Sequence, residues 1–290
     1  MSPSVADDGV AARAAPELGA SAAGGPPAPQ PAPQPQLPVP RHLLVAEMWL
    51  LFGVSLGASG ANALVSLVGD LTAGKALQTQ TALINGTRAP GRPWLDLAFQ
   101  LLALALAVVP VLLAAHFLIR SGESMADIGV TRHVPGRDVV LGLTLAALVG
   151  GTGLALYLGA RGAGANLTVV PENLPDVWWR IPVLLLAAAK DGLVEEVLVV
   201  GYLLHRLHQL GWGDNRALLT SALVRGSYHL YQGIGGFVGN AVMGLLFGRI
   251  YQRTGRTMPL VIAHATIDAV AFVGYALLAG KVSWLPTPGR

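Results

Sequence analysis

The chain has 290 residues, of which 53% are hydrophobic and 12% charged. Soluble domains carry about 25% charged residues, so this composition excludes an ordinary soluble protein and indicates an integral membrane protein. The absence of cysteine excludes disulfides, thiolate catalysis and cysteine-ligated zinc. The net charge of +3 does not indicate a nucleic-acid partner, because the basic residues mostly lie in connections between apolar segments, as is usual in membrane proteins.

The first 40 residues differ in composition from the rest of the chain. They are rich in Ala, Pro, Gln and Gly, as in 24-GGPPAPQPAPQPQLPVP-40. Such a segment buries too little apolar surface to fold, so we predict a disordered tail over 1–40. The remainder is predicted to divide into N-terminal transmembrane helices, 41–170, and a second helix bundle, 171–282, that carries the candidate chemistry.

Seven apolar segments follow the tail, and a bilayer is crossed by a helix of about 20 such residues. We therefore predict an all-α, polytopic membrane bundle of about seven transmembrane helices. The fifth and sixth segments are short and joined by the glycine-rich turn 232-QGIGG-236, which is compatible with tilted or re-entrant helices. The connection 69–94 is predicted to be a loop. The segments cover approximately 43–68, 95–119, 138–159, 180–207, 216–231, 235–252 and 258–280.

The basic residues indicate an orientation. With the N-terminus inside, the inner parts of the chain carry ten basic residues and the outer parts carry seven. Because Lys and Arg are enriched in cytoplasmic loops, we predict a cytoplasmic N-terminus in a multi-pass protein of the plasma membrane. The inner residues are Arg13, Arg41, Arg120, Arg132, Arg137, Arg206, Arg216, Arg249, Arg253 and Arg256.

Ionisable residues interrupt three of the apolar segments. A carboxylate in hydrocarbon costs several kcal/mol unless it is paired, protonated or faces a wet cavity. An adjacent pair of glutamates in 181-IPVLLLAAAKDGLVEEVLVVGYLL-204 is therefore hard to explain without a function. We predict one polar site inside the bundle, built from Glu195 and Glu196 in the fourth segment, Arg225 and His229 in the fifth, and His264 and Asp268 in the seventh.

The helical spacing groups these side chains. Residues four apart share a helix face, which pairs Asp191 with Glu195, Arg225 with His229, and His264 with Asp268. A carboxylate one turn from a histidine fixes the tautomer of the ring and stabilises its charged form. Once the basic residues at the segment ends are assigned to the two sides of the membrane, four acidic residues face only two basic ones, Lys190 and Arg225. Histidines, protonated carboxyls or a bound cation must therefore supply the missing positive charge.

Three runs, 195-EEVLVVGYLL-204, 225-RGSYHLYQG-233 and 264-HATID-268, resemble the motif pattern of the CPBP family. These intramembrane proteases include the type II CAAX prenyl endopeptidases and bacteriocin-related proteins. Their pattern is a double glutamate with an arginine four positions after the second, then Phe-xxx-His, then His-xxx-Asn/Asp. The resemblance covers roughly residues 176–280, and it implies that 171–282 is a CPBP-like catalytic bundle.

The chain departs from that pattern at two positions. Val200 stands where the first motif has its arginine, and Arg225 stands where the second motif has its phenylalanine. We hypothesise that Arg225 supplies, from the fifth segment, the positive charge that is missing at Val200, by pairing with Glu196 or Glu195.

The resemblance implies hydrolysis of a peptide bond in a membrane protein or peptide substrate. Glu195 would activate a water, and His229 and His264 would position it or stabilise the oxyanion. Asp268 would orient His264 or bind near the oxyanion, and Glu196 would give electrostatic support. The two histidines and the carboxylates suit a divalent metal such as zinc, but no HExxH helix is present, so metal-dependent and metal-free mechanisms both stay open.

Other interpretations compete with a protease. Buried Glu, His and Asp also form the relays of proton- or cation-coupled transporters, and Val200 is compatible with an inactive immunity or scaffold protein. Residue by residue, Glu195 could form only a structural ion pair with Lys190 or Arg225. His229 could be an interfacial residue, and His264 and Asp268 could serve interhelical hydrogen bonding. Tyr228, next to the candidate site, is predicted to pack rather than to contact substrate.

Overall fold

The structure is a computed structural model that describes residues 39–282 and 285. Nearly all of the predicted disordered tail, 1–40, therefore lies outside the described residues. Within them the fold is a helix bundle with one small two-stranded sheet, and this confirms the predicted all-α class. Each of the seven predicted apolar segments contains a helix.

The helices follow one another in chain order, with ends close to those predicted. They are α1 (Arg41–Gly53), α2 (Leu56–Thr72), α3 (Pro93–Arg120), α4 (Gly136–Gly162), α5 (Arg180–Glu195), a π-helix (Glu196–Tyr202), α6 (Leu203–Gln209), α7 (Asp214–Ser227), α8 (Ile234–Thr254) and α9 (Met258–Leu278). Proline stands in the first turn of α3 and of α9, where its missing N–H would have had no partner inside the helix.

Among the described residues, four helices are long and apolar enough to cross a membrane, namely α3, α4, α8 and α9. The pair α1 and α2 gives a fifth candidate when the two helices are taken as one span bent by 49°. The two remaining predicted segments, 180–207 and 216–231, are not candidate spans. The first carries Lys190, Asp191, Glu195 and Glu196, and the second contains α7, which has only 14 residues. The predicted number of about seven spans is therefore approximate.

The long helices show apolar side chains on their outer surface. In α3, Leu102, Leu106 and Leu112 are exposed, whereas Ala114 and Leu118 are completely buried. Apolar groups on both the inner and the outer side of a helix are expected where the surroundings are lipid rather than water. These exposed apolar surfaces indicate an integral membrane protein.

One connection predicted as a loop, 69–94, contains a strand. Its residues Thr81–Asn85 form β1, which pairs in parallel with β2, Thr168–Glu172. Thr81 lies opposite Thr168, and Asn85 opposite Glu172. The loop prediction is wrong here because a strand of five residues, paired with a partner so distant in sequence, leaves no alternating pattern long enough to recognise.

The helix that carries His264 packs closely against the helix that carries Glu195. Helix α9 lies between α4 and α5 and contacts both. The approach to α5 depends on Gly192, where a Cβ atom would lie 2.8 Å from the backbone nitrogen of Ala265. Because no side chain separates the two backbones at this point, the carboxylates that follow Gly192 in α5 lie opposite the imidazole of α9.

Candidate active site

The two glutamates stand at a change of helix type in the middle of the bundle. Glu195 is the last residue of α5, and Glu196 begins the π-helix that leads into α6. The wider turn of a π-helix is rare and often occurs at functional sites. Both side chains are buried, Glu196 with no exposed surface and Glu195 with 8% of its surface exposed. The position of the carboxylates inside the bundle requires partners for their charge.

Arg225, near the end of α7, supplies that partner. Its side chain is completely buried, and Nη2 lies 2.7 Å from Glu196 Oε1 and 3.6 Å from Glu195 Oε2. The hypothesis that Arg225 pairs with these glutamates is confirmed by the contacts. The guanidinium also lies over the ring of Phe247 in α8, 5.5 Å from its centroid. One cation from α7 therefore neutralises carboxylates of both α5 and the π-helix.

Val200, which stands at the family's arginine position, has no access to this polar group. It is completely buried and packs in an apolar cluster with Leu204, Phe247 and Leu260, among others. The π-helix contains no arginine, and the positive charge at the glutamates comes from Arg225 in α7.

His264 joins Arg225 at the same carboxylate. Its Nδ1 lies 2.8 Å from Glu196 Oε1 and 3.0 Å from Arg225 Nη2. Because an ionised carboxylate oxygen only accepts hydrogen bonds, we interpret both nitrogens as donors to Glu196. On the other side of the ring, Nε2 lies 3.4 Å from Asp268 Oδ2, one helical turn further along α9. Carboxylates at both ring nitrogens favour the charged imidazolium.

His229 lies in the turn after α7 rather than on a helix. The predicted segment 216–231 is wrong at its end, because α7 stops at Ser227 and a short 3-10 turn begins at Leu230. His229 Nδ1 donates to the carbonyl oxygen of Arg225 at 3.0 Å, so the ring satisfies a free carbonyl at the helix end. With its hydrogen on Nδ1, a neutral His229 presents a lone pair at Nε2.

The carboxylate of Glu195 belongs to the same cluster as both histidines. His264 contacts Glu196, which follows Glu195 in the chain, and the ring of His229 stacks on Tyr228, whose phenol donates to Glu195. The structure thus brings together all five residues predicted for the site, namely Glu195, Glu196, His229, His264 and Asp268. What these residues do chemically stays a prediction.

One polar partner of Glu195 was not predicted. The phenol of Tyr228 is buried and donates to Glu195 Oε2 at 2.8 Å. Tyr228 is buried and packs as predicted, and its hydroxyl adds a hydrogen bond that the prediction did not include. No local signal identifies this contact, since Tyr228 follows the end of α7, Glu195 ends α5, and the two residues are 33 positions apart.

The remaining charges of the region also find partners. Lys190 forms an ion pair with its neighbour Asp191, and both side chains are only partly exposed. With Arg225 and a charged His264 added to Lys190, three positive groups face the four acidic ones. The charge deficit deduced from the sequence thus falls to one, which a single shared proton is sufficient to neutralise.

The described side chains give no support to a metal centre. Among them, no group of three or more His, Asp or Glu residues is arranged to hold a metal ion. Arg225 lies against both glutamates, and a charged His264 has no lone pair to offer a metal ion. These residues, as they are arranged, do not fit a zinc ion, and no catalytic step is assigned to a metal.

Comparison with known families gives one match. Residues 177–270, or 94 of the 290 residues, match a family model described as Type II CAAX prenyl endopeptidase Rce1-like. This confirms the resemblance to the CPBP family. The matched segment contains all three motifs and lies within the predicted catalytic bundle, 171–282. No curated protein and no solved structure matches the chain. At the level of the family, the match supports a CAAX-protease-like intramembrane endopeptidase.

Proposed function

We propose that this protein is an intramembrane endopeptidase that cleaves membrane-associated proteins or peptides, with Glu195 activating the attacking water. The observation that carries the proposal is the convergence of Glu195, His229 and His264 in one buried, Arg225-linked cluster, in a segment that matches the CAAX prenyl endopeptidase model. Hydrolysis needs a base next to the water and donors next to the developing oxyanion, and this cluster offers both.

Glu195 is the best placed base. Its Oε2 is engaged by Tyr228 and lies near Arg225, and Oε1 has no polar contact among the described residues. In the proposed reaction Oε1 takes a proton from water, and the hydroxide attacks the substrate carbonyl to form the tetrahedral intermediate. The protonated Glu195 then gives this proton to the departing amine, and the peptide C–N bond breaks.

His229 assists on the water side. The hydrogen bond to the Arg225 carbonyl holds the ring in one orientation and leaves Nε2 as an acceptor. A water between Glu195 and His229 is then oriented by two acceptors, with an oxygen lone pair left for the attack.

His264 is the proposed donor to the oxyanion. Its contact with Asp268 at 3.4 Å is longer than a good hydrogen bond. Nε2–H is therefore free to donate to the oxyanion of the substrate instead. Glu196, which also accepts from Arg225, holds the other side of the ring in place. In this assignment Glu196 and Asp268 keep His264 charged and oriented, and neither exchanges a proton with substrate.

The test is a comparison of protein termini in membranes from cells that express wild type, Glu195→Gln or Asp176→Asn at equal levels. Asp176 is an almost fully exposed acid and serves as the matched control. We expect new N- and C-termini that mass spectrometry detects with wild type and with Asp176→Asn, and that disappear with Glu195→Gln. These termini identify the cleaved bonds and the substrates.

Identical termini with all three proteins, each folded and present, would overturn the proposal. The same variants then separate the competing interpretations. A coupled transporter predicts that Glu195→Gln changes ion flux across the membrane, and a scaffold protein predicts no effect of this substitution in either assay.

A further inference from the structure

Tyr228 is the first residue after the end of α7. The helix stops at Ser227, so the backbone of Tyr228 leaves the helical path and its side chain points into the bundle, where it is 95% buried. The backbone of α2 comes close to this point, since a Cβ atom on Gly60 would lie 2.8 Å from Ser227 Oγ and 3.7 Å from the Tyr228 nitrogen. Close packing of α2 against Ser227 and Tyr228 therefore restrains the backbone of Tyr228.

The hydroxyl of Tyr228 forms a hydrogen bond with only one oxygen of the Glu195 carboxylate. It donates to Oε2 at 2.8 Å, and the guanidinium of Arg225 is on the same oxygen side at 3.6 Å. Among the described residues, both polar contacts of Glu195 thus fall on Oε2. A carboxylate held through one oxygen has a defined orientation, and its other oxygen is available to a second partner.

Packing alone does not explain a tyrosine at this position. The ring stacks obliquely on His229, with 4.7 Å between the centroids, and a phenylalanine would make the same ring contact. A buried hydroxyl is unfavourable unless it forms a hydrogen bond, and its bond here is to an acid of the candidate site. The hydroxyl group therefore adds an interaction with Glu195 that the ring does not need.

We propose that Tyr228 is a positioning residue that holds Oε2 of Glu195 so that Oε1 faces the attacking water. This inference rests on the proposed endopeptidase function. It assigns Tyr228 no proton transfer and no contact with substrate. Its effect is on the geometry of the base, so removal of the hydroxyl is expected to slow the chemical step and to leave substrate binding unchanged.

The experiment uses the full-length protein in lipid nanodiscs and a fluorogenic peptide that spans a bond identified in the comparison of termini. Tyr228→Phe is compared with wild type, with Glu195→Gln and with Tyr231→Phe. Tyr231 is a matched control from the same turn, since its phenol oxygen contacts Gln232 instead of Glu195. The thermal unfolding of each variant is followed by circular dichroism to show that the fold is kept.

We expect Tyr228→Phe to lower kcat by about 10- to 100-fold, the effect of one hydrogen bond to a charged group, with KM unchanged within about twofold. Tyr231→Phe is expected to retain wild-type kcat. Wild-type kcat for Tyr228→Phe, together with complete loss in Glu195→Gln, would overturn the positioning role and leave the proposed function intact. Activity in Glu195→Gln, or no cleaved bond at all, would overturn both. A raised KM with unchanged kcat would show that Tyr228 contacts substrate.

Discussion

At the scale of single residues, Arg225 is the centre of the site. It is completely buried and its guanidinium reaches Glu196, Glu195 and His264. A buried cation of this kind is held by its partners, and removal of one member leaves an uncompensated charge in a medium of low dielectric constant. The residue therefore links the charge state of the site to the packing of α7 against α5.

Substitution of Arg225 gives a prediction about stability and activity together. Arg225→Leu is expected to destabilise the fold by about 3–5 kcal/mol and to abolish cleavage, because the charge of Glu196 loses its main partner. Thermal unfolding in detergent and the fluorogenic peptide assay measure the two effects. Arg253→Leu, at an exposed position near the end of α8, is the control and is expected to match wild type. Wild-type stability and cleavage in Arg225→Leu would contradict the central role given to this residue.

The contacts of buried arginines differ in how well they can be predicted from the sequence. The pairing of Arg225 was predictable, because four acids and two bases in apolar segments require a shared cation. Arg206 shows the opposite case. It was grouped with the basic residues at the inner side of the membrane, but it is completely buried and donates to Glu123 and to the carbonyl oxygen of Phe117. An arginine that follows an apolar segment has the same local pattern whether it faces water or a distant glutamate.

At the scale of helices, two features bring the side chains of the candidate site together. The π-helix begins at Glu196 and changes the angular spacing of the residues that follow it. Gly192, one turn earlier in α5, allows contact between the backbones of α5 and α9. Both features lie within a few residues of Glu195, so the distance from Glu196 to His264 depends on them.

A methyl group at Gly192 tests this dependence. Gly192→Ala would place a Cβ atom 2.8 Å from the nitrogen of Ala265 and 2.9 Å from the carbonyl oxygen of Val261. The two helices must then separate, at an expected cost of about 1–3 kcal/mol, and His264 moves away from Glu196. We expect a lower unfolding temperature and a lower kcat.

The control for this substitution is Gly274→Ala in α9, where a Cβ atom would meet nothing within 4 Å. A helical alanine is more stable than glycine by about 0.5–1 kcal/mol, so this variant is expected to unfold at the same or a higher temperature. If Gly192→Ala behaved like Gly274→Ala, the close contact between α5 and α9 would not be required for the site.

The sequence predicted the helices better than their interruptions. Seven apolar segments are long enough to give a clear signal, and each contains a helix. The end of α7 at Ser227, the π-helix and the two strands were not predicted. A π-helix has no composition of its own, and a parallel pair of five-residue strands depends on tertiary contacts between distant segments.

At the scale of the whole molecule, the connections collect at two ends of the bundle. At one end, Arg41 donates to the carbonyl of Leu210, Arg206 to Glu123, and Thr257 to the carbonyl of Ile128. At the opposite end lie the paired strands β1 and β2, with the start of α5 tied to β2 by the ion pair of Arg180 and Glu172. The first end carries those of the inner residues that the structure describes, so the structure and the proposed orientation are compatible.

The orientation itself is testable, because the chain has no cysteine and any introduced thiol is a unique reporter. Lys75→Cys and Arg132→Cys place exposed thiols at opposite ends of the bundle. With a cytoplasmic N-terminus, a membrane-impermeant maleimide is expected to label Lys75→Cys in intact cells and Arg132→Cys only after the membrane is permeabilised. Full labelling of both after permeabilisation is the control for thiol access.

The reversed pattern would contradict the orientation, and labelling of both thiols in intact cells would contradict the separation of the two ends by a bilayer. The result also decides from which side substrate is reached. His264 is the seventh residue of α9, which begins at Met258 at the same end as Arg132. With a rise of 1.5 Å per residue it lies about 9 Å along the helix from that end. If that end is cytoplasmic, the cleaved bond belongs to the cytoplasmic half of the bilayer or to a segment that enters from the cytoplasm.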